Sequence, residues 1–249
     1  MKIAIIGYGQ MGKMIENCAL EQGDEVVSTI DPFNKSAKFS AIDQKSLAQA
    51  DVAICFTHPE SALENIRLVL DCKTPLIMGT TGWLEHIEQV REMVTEAQVG
   101  MLYSSNFSLG VNLFFRMVAE AAKTIDPFDF YDVLALESHH RLKKDSPSGT
   151  ALTLGDMLLD NMTRKKRLVT ERLDRRPEED EIHFASVRGG SIPGTHQVIF
   201  DSEFDSIELT HRARNRKGFA MGSLMAAKWI VGQKGFFTET DLMDHLIQG

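Results

Sequence analysis

The chain reads as an α/β protein: a doubly wound parallel sheet, then a second domain of α+β type carrying an open mixed sheet. Three features of the 249-residue sequence say so. Over the first hundred residues short apolar runs alternate with amphipathic helical stretches, the pattern of β-α repetition in a parallel sheet. The first apolar run ends in Gly7-Tyr8-Gly9-Gln10-Met11-Gly12, a glycine spacing that suits a strand, phosphate loop and helix in succession and makes the first domain Rossmann-like. Past about Gly110 the period becomes two, as in Gln197-Val198-Ile199-Phe200 and Ser206-Ile207-Glu208-Leu209-Thr210, so strands replace β-α units.

Composition narrows the function classes. With 43% hydrophobic residues the chain can bury one large core or two modest ones, two domains being expected, and 25% charged residues is ordinary for a soluble enzyme. No apolar run reaches membrane-spanning length, and the N-terminus turns to glycine too early for a signal peptide, so the cytoplasm is the expected compartment. Cys18, Cys55 and Cys72 lack metal-ligand spacing and are expected to be buried, reduced thiols. A net charge of -8 argues against nucleic-acid or anionic-membrane partners. Between Tyr131 and Lys217, 15 basic and 15 acidic residues balance, leaving the excess (12 minus 20) outside that segment. The basic run Arg164 to Arg167 is expected to be a solvated face.

Taken in order, Lys2 to Ile6 is a strand, the glycine loop opens a helix to about Leu20, and Glu25 to Ile30 is a second strand. Gly7 permits the turn, Gly9 lets a pyrophosphate approach, and Gly12 lets helix meet strand. Asp31 ends the second strand 19 residues after Gly12, the place of an acid that binds ribose hydroxyls. Val52 to Phe56, Pro75 to Met78 and Val99 to Tyr103 are further strands, with helices from Pro59 to about Asp71 and from Leu84 to Ala97. Their carboxyl ends carry Phe56-Thr57, Gly79-Thr80-Thr81 and Ser104-Ser105-Asn106-Phe107, where ligands of such sheets bind. On the residues alone these segments also read as capped loops. Asn106 to Gly110 looks like the join between domains, followed by a helix from Val111 to Thr124.

The densest chemistry lies in Glu137-Ser138-His139-His140-Arg141-Leu142-Lys143-Lys144-Asp145-Ser146-Pro147-Ser148-Gly149-Thr150-Ala151. Asp132 to Ser138 alternates as a strand that delivers the histidines, and Ser148 is the N-cap of a following helix. Free N–H groups at such a helix start, beside a glycine, cradle a carboxylate or phosphate. Imidazoles and lysines are proton carriers. Their mutual repulsion here is expected to be relieved by a bound anion. The loop Arg188 to His196 reads as a glycine-rich turn between strands, and His58 as loop decoration.

That stretch resembles the signature of the dihydrodipicolinate reductase family (4-hydroxy-tetrahydrodipicolinate reductase), roughly E-x-H-H-x-x-K-x-D-x-P-S-G-T-A, at every fixed position. Phe56-Thr57-His58-Pro59, Gly79 to Gly82 and Asn106 to Gly110 are similar to further family segments, so the likeness spans nearly the whole chain; Gly194-Thr195-His196 is similar to a G-x-H element of the family, which implies a supporting role near the substrate as the alternative to a plain turn. It implies NAD(P)H-dependent reduction of a cyclic dicarboxylate in lysine and diaminopimelate biosynthesis. His139 and Lys143 would be catalytic, with His140, Gly149 and Thr150 on the substrate carboxylates. Gly7, Tyr8, Gly9, Gln10, Met11, Gly12, Asp31, Phe56, Thr57, Gly79, Thr80, Thr81, Ser104, Ser105, Asn106 and Phe107 would hold the cofactor, with no metal. It implies a homotetramer built on the second sheet, and a cofactor domain of residues 1–106 completed by 217–249, beside a substrate domain of residues 107–216. Closure about Asn106 to Gly110 and Arg214 to Lys217 would bring hydride donor and acceptor together.

Two departures bear on the cofactor. Gln10 stands where many members carry arginine in a longer loop, and Pro32 follows Asp31 where an arginine would meet a 2'-phosphate. NADH is therefore the expected preference, with NADPH tolerated through Lys35 or Lys38. Two alternatives stand beside the reductase: an amino-acid dehydrogenase of similar plan, which would not need the His-His and Ser-Gly-Thr cluster, and a non-enzymatic cofactor sensor, which would have lost the catalytic positions.

Overall fold

The computed structural model describes residues 1–248. The chain divides into two compact units, Met1–Leu109 with the chain from Arg216 onward, and Gly110–Asn215.

In the first unit β1 (Lys2–Ile6), β2 (Glu25–Ile30), β3 (Val52–Cys55), β4 (Leu76–Met78), β5 (Gly100–Tyr103) and β11 (Gly235–Thr238) form one sheet in the order β11-β5-β4-β3-β1-β2. All pairings are parallel. Both faces are covered, which is why the strands read as unbroken apolar runs. Ala4 and Ile6 of β1 face one core with α3 (Pro59–Asp71) and α4 (Ile87–Ala97). Ile3 and Ile5 face the other with α1 (Gln10–Glu21), α7 (Lys217–Ile230) and α8 (Glu239–Gln248). A short α2 (Gln44–Leu47) is closed by a reciprocal Asp43–Ser46 cap.

The second unit opens with α5 (Leu109–Ile125) and builds β6 (Asp132–His139), α6 (Gly149–Asn161), β7 (Arg167–Val169), β8 (Glu181–Arg188), β9 (Thr195–Asp201) and β10 (Ser206–Arg212). Its sheet runs β10-β9-β6-β8-β7, with β6, β7 and β8 parallel and β9 antiparallel to both β6 and β10. The inward positions Val133, Ala135, Phe184, Val198 and Phe200 pack on Phe114 and Val118 of α5 and Leu154 and Leu158 of α6. On the opposite face Leu134 and Val187 stay 39% and 55% exposed.

Three expectations change. The 84–97 helix opens with a separate 3-10 turn, Leu84–His86, before α4. The run Arg164 to Arg167 is a solvated face only in part: Lys166 and Arg167 are exposed and Arg164 is half-buried. Lys165 is buried, with Nζ donating to Glu179 O (2.8 Å), Glu181 O (3.0 Å) and Asp132 Oδ1 (2.5 Å), so three oxygens compensate the burial of its charge. All three cysteines are free, but Cys72 is only partly buried. Among the described residues no helix is long and apolar enough to cross a membrane.

Candidate active site

In the first unit, residues following β1, β2 and β3 line a cleft of about 680 Å³, beyond the carboxyl ends of the strands. Gly7 sits at φ +88°, where a Cβ would lie 2.0 Å from Phe56 O. A Cβ on Gly12 would meet Gly7 O at 2.2 Å, so both glycines are required by close packing. A Cβ on Gly9 meets nothing within 4 Å. Gly9 is also the N-cap of α1 and supplies no capping side chain, so the first N–H groups of α1 are uncapped, and Gly9 to Gly12 line the cleft. That cradle fits a dinucleotide pyrophosphate.

Asp31 is held from three sides. Oδ1 accepts from the N–H groups of Phe33 (2.8 Å) and Asn34 (3.0 Å), and Oδ2 from Tyr8 N (2.9 Å). Burial pushes its pKa up, but these donors prevail and hold the carboxyl below its usual range. Oδ2 retains acceptor capacity for a ribose hydroxyl. Gln10 accepts from Arg216 Nη1 at 2.9 Å, and the Tyr8 hydroxyl bonds Glu16. Met11, Phe56 and Thr57 line the cleft. So do Ser61, Asn65 and His58, three residues that sequence reasoning did not single out as functional. Asn65 Nδ2 donates to Thr57 Oγ1 at 3.0 Å. Its one prior signal was its place nearly two turns along the helix that follows the Phe-Thr-x-Pro segment.

The ends of β4 and β5 lie outside that lining. Thr80 is buried, and its Oγ1 accepts from Thr57 N at 2.8 Å, tying β4 to β3. Gly79 leaves room for the Phe56 ring, which a Cβ would meet at 2.2 Å. Ser104 is buried and closes the turn to Asn106, whose N–H donates to Ser104 Oγ at 3.0 Å. Phe107 is buried edge-on to Phe56, ring centroids 5.8 Å apart. Thr81 and Ser105 are exposed.

In the second unit β6 delivers His139 as its last residue, and Ser148 caps α6, its Oγ accepting from Ala151 N at 3.2 Å. The N–H groups of Gly149 and Thr150 open that helix without intrahelical acceptors, and a Cβ on Gly149 would meet nothing within 4 Å. His140 is half-buried and its N–H donates to Ile192 O at 2.8 Å. Lys143 Nζ lies 2.9 Å from Asp145 Oδ1. The expected repulsion among the cations is thus met in part within the loop, before any anion binds.

Behind the loop is a group to which sequence reasoning gave no role. Glu137 has no exposed surface. Oε1 accepts from Ser148 N (2.9 Å), Ser186 Oγ (2.9 Å) and Arg188 Nη2 (2.8 Å). Oε2 accepts from Ser148 Oγ and faces His139 Nδ1 at 3.2 Å and His196 Nε2 at 3.4 Å. Burial works against the anion, but His196, Ser148 and Arg188 hold Glu137 far below the carboxylate range. His139 is itself buried, which pushes its pKa down to about 4 against the pull of Glu137; His196, Lys143 and Arg188 push the same way as burial. The imidazole is therefore neutral at neutral pH. Glu137, His139 and His196 bring ligand atoms within 4.8 Å of one another. With both Glu137 oxygens already occupied and Arg188 alongside, this is a hydrogen-bonded cluster poorly suited to a cation.

Comparison with known proteins places this geometry. The family description "Dihydrodipicolinate reductase, N-terminus" matches residues 1–107 and "Dihydrodipicolinate reductase, C-terminus" matches residues 110–243. The chain belongs to the dihydrodipicolinate reductase family. Relatives named 4-hydroxy-tetrahydrodipicolinate reductase include one from Christiangramia forsetii, 36% identical over 248 residues with all of both chains covered. Another, from Zymomonas mobilis, is 39% identical over 252 residues, covering 98% of this chain and 97% of its own. Among solved structures, a dipicolinate-bound dihydrodipicolinate reductase from Paenisporosarcina sp. TG-14 superposes with a TM-score of 0.77 at 22% identity, covering 96% of this chain and 97% of that one. An amine dehydrogenase from Mycobacterium smegmatis reaches 0.63 at 12% identity, covering 95% and 94%, a likeness of fold. The reductase family accounts for both halves of the chain, the Rossmann-type sheet and the mixed sheet alike.

Proposed function

We propose that the chain is an NAD(P)H-dependent 4-hydroxy-tetrahydrodipicolinate reductase of the cytoplasm. Its substrate would be a cyclic unsaturated dicarboxylate, and its product tetrahydrodipicolinate for diaminopimelate and lysine synthesis. The observation that carries this most is the union, in a family member, of a neutral imidazole at the end of β6, a lysine in the loop that follows and the open N-terminus of α6.

The bound dinucleotide supplies hydride to the ring. The chain's residues bind the dianion, orient it and provide the proton. His140, Gly149 and Thr150 take the carboxylates, the last two through N–H groups aligned with the helix dipole. Loss of water from the 4-hydroxy ring leaves a conjugated double bond, and a proton must reach one end as hydride reaches the other. With its pKa near 4, His139 is a poor acid at neutral pH and serves as acceptor and hydrogen-bond partner. Lys143 is the donor.

For the cofactor, the α1 N-terminus would hold the pyrophosphate and Asp31 the adenosine ribose. NADH is preferred, because Gln10 and Pro32 supply no cation and Lys38 Nζ is engaged by Val27 O at 2.9 Å. Lys35, on the cleft wall, admits NADPH. The uncovered face of the second sheet, with Leu134, Leu136, Ala185, Val187 and Ile199 aligned by register, supports assembly into a homotetramer.

The test supplies purified protein with the condensation product of pyruvate and aspartate semialdehyde, made in place by its synthase, and follows NADH and NADPH oxidation separately. Oxidation that depends on the product is expected, faster with NADH. No oxidation with either dinucleotide, in protein that still binds them, would overturn the reading. A strong advantage for NADPH would overturn the cofactor assignment.

A further inference from the structure

The registers of the second sheet align a polar row across its inner face. Ser186 of β8 pairs with Glu137 of β6, Glu137 with His196 of β9, and His196 with His211 of β10. Glu137, His139 and His196 are all buried, and the His139 and His196 rings meet edge to face at 5.2 Å and 73°. An ionised carboxylate only accepts, so each group turned toward it must donate. His196 therefore presents Nε2–H to Glu137 Oε2 and Ser148 Oγ, 3.4 and 3.3 Å away. His139 Nδ1 is a buried nitrogen with no hydrogen-bond partner, and the same Oε2 lies 3.2 Å from it.

We infer that Glu137 and His196 are positioning residues for His139: the carboxylate draws the ring proton to Nδ1 and leaves Nε2 as the free base, while the His196 ring fixes the imidazole plane. This rests on the proposed reductase reading, in which His139 takes part in the chemistry. It also gives the E-x-H-H motif and the distant His196 one shared purpose. Gly194 fits the same arrangement, because a Cβ there would lie 3.0 Å from His139 Nε2 and crowd the nitrogen left free. The charged or titratable groups facing His139 are Glu137 on its own strand, Arg188 on β8, His196 on β9 and Lys143 on the loop. Lys143 is paired with Asp145.

Two substitutions should move His139 in opposite directions. Glu137→Gln removes the anion that favours imidazolium, so the acid limb of the kcat/KM profile moves down by about 1 to 3 pH units. His196→Gln removes a ring that opposes imidazolium, so the limb moves up. Turnover falls in both by about 10²-fold, the scale of a misoriented catalytic group, with little change in dinucleotide affinity; a circular-dichroism spectrum and cooperative thermal unfolding like those of the wild type report that the second unit has folded. Nitrogen-15 NMR of the intact wild-type protein should show a neutral His139 protonated on Nδ1, and Glu137→Gln should mix the tautomers. A wild-type proton on Nε2, or two folded variants with wild-type profiles and turnover, would overturn the inference. A wild-type protein inactive toward the substrate would overturn the reductase reading, while the NMR result would still decide the tautomer.

Discussion

Glu137 occupies an inward position of β6 whose companions are Val133, Ala135 and His139, and the fold places a carboxylate there beside two imidazoles and a guanidinium. This arrangement has a cost at low pH. In the unfolded chain His139 takes a proton near pH 6.5, and in the fold only near 4. Between those values the unfolded state binds more protons, so stability falls as pH falls. Glu137, lowered from 4.5, adds a further loss below that value. From pH 7 to pH 5 the His139 contribution alone is about 2 kcal/mol. Urea unfolding at the two pH values should show a loss of that size, reduced in His139→Asn; equal stability, or an unchanged loss in the variant, would count against a buried neutral imidazole. Lys143 carries the complementary prediction. Lys143→Ala should lower turnover by about 10² to 10⁴ with dinucleotide binding intact, and near-normal turnover would remove it as the acid.

At the scale of elements, β6 and α6 work as a pair joined through Ser148, which caps α6 and gives both N–H and O–H to Glu137. Ser148→Ala should cost about 2 kcal/mol, one cap plus one lost donor to a buried carboxylate, while Ser148→Thr should retain most of it; equal losses in both would show that the hydroxyl is not what matters. Strands β1, β2 and β3, the hairpin of β9 and β10, and the cap of α6 were legible because periodicity and turn residues agree there. The elements β7 and β11 were not: Arg167–Val169 follows directly on a charged run, and Gly235–Thr238 sets two adjacent aromatics after a glycine, outside the β-α alternation that marked the equally short β3, β4 and β5. Lys165 was misread because charge runs are usually solvated, and its three oxygen partners come from strands and loops that only the fold brings together. Within the site, the motif marked the residues that would face substrate. Glu137 lay inside the motif with its role hidden, since its partners Ser186, Arg188 and His196 lie roughly 50 to 60 residues away and converge only through sheet register. His58 looked decorative for the same reason: its place in the cleft follows from the β3 carboxyl end lying beside that of β1.

For the whole molecule, the same sheet that buries Phe184 and Phe200 on one face leaves an apolar strip on the other, and a strip of that kind marks an interaction surface. If it builds the proposed tetramer, light scattering on the eluting protein should give four times the chain mass of 27.9 kDa, and the pair Leu134→Lys with Val187→Lys should reduce it; a wild-type monomer would remove the assembly from the proposal. Cofactor choice also belongs at this scale, because it couples the enzyme to one reducing pool. Lys35→Ala should lower efficiency with NADPH several-fold and leave NADH unchanged. Equal loss with both would show that Lys35 does not read a 2'-phosphate. The proposed reaction is hydride transfer from a nicotinamide to the ring of a cyclic dicarboxylate. It is tested most directly by supplying NADH deuterated at the transferring C4 position together with synthase-made substrate, and weighing the product. A tetrahydrodipicolinate carrying one deuterium, formed only when this protein is present, is the predicted result; product without deuterium, or none at all from protein that binds NADH, would contradict it.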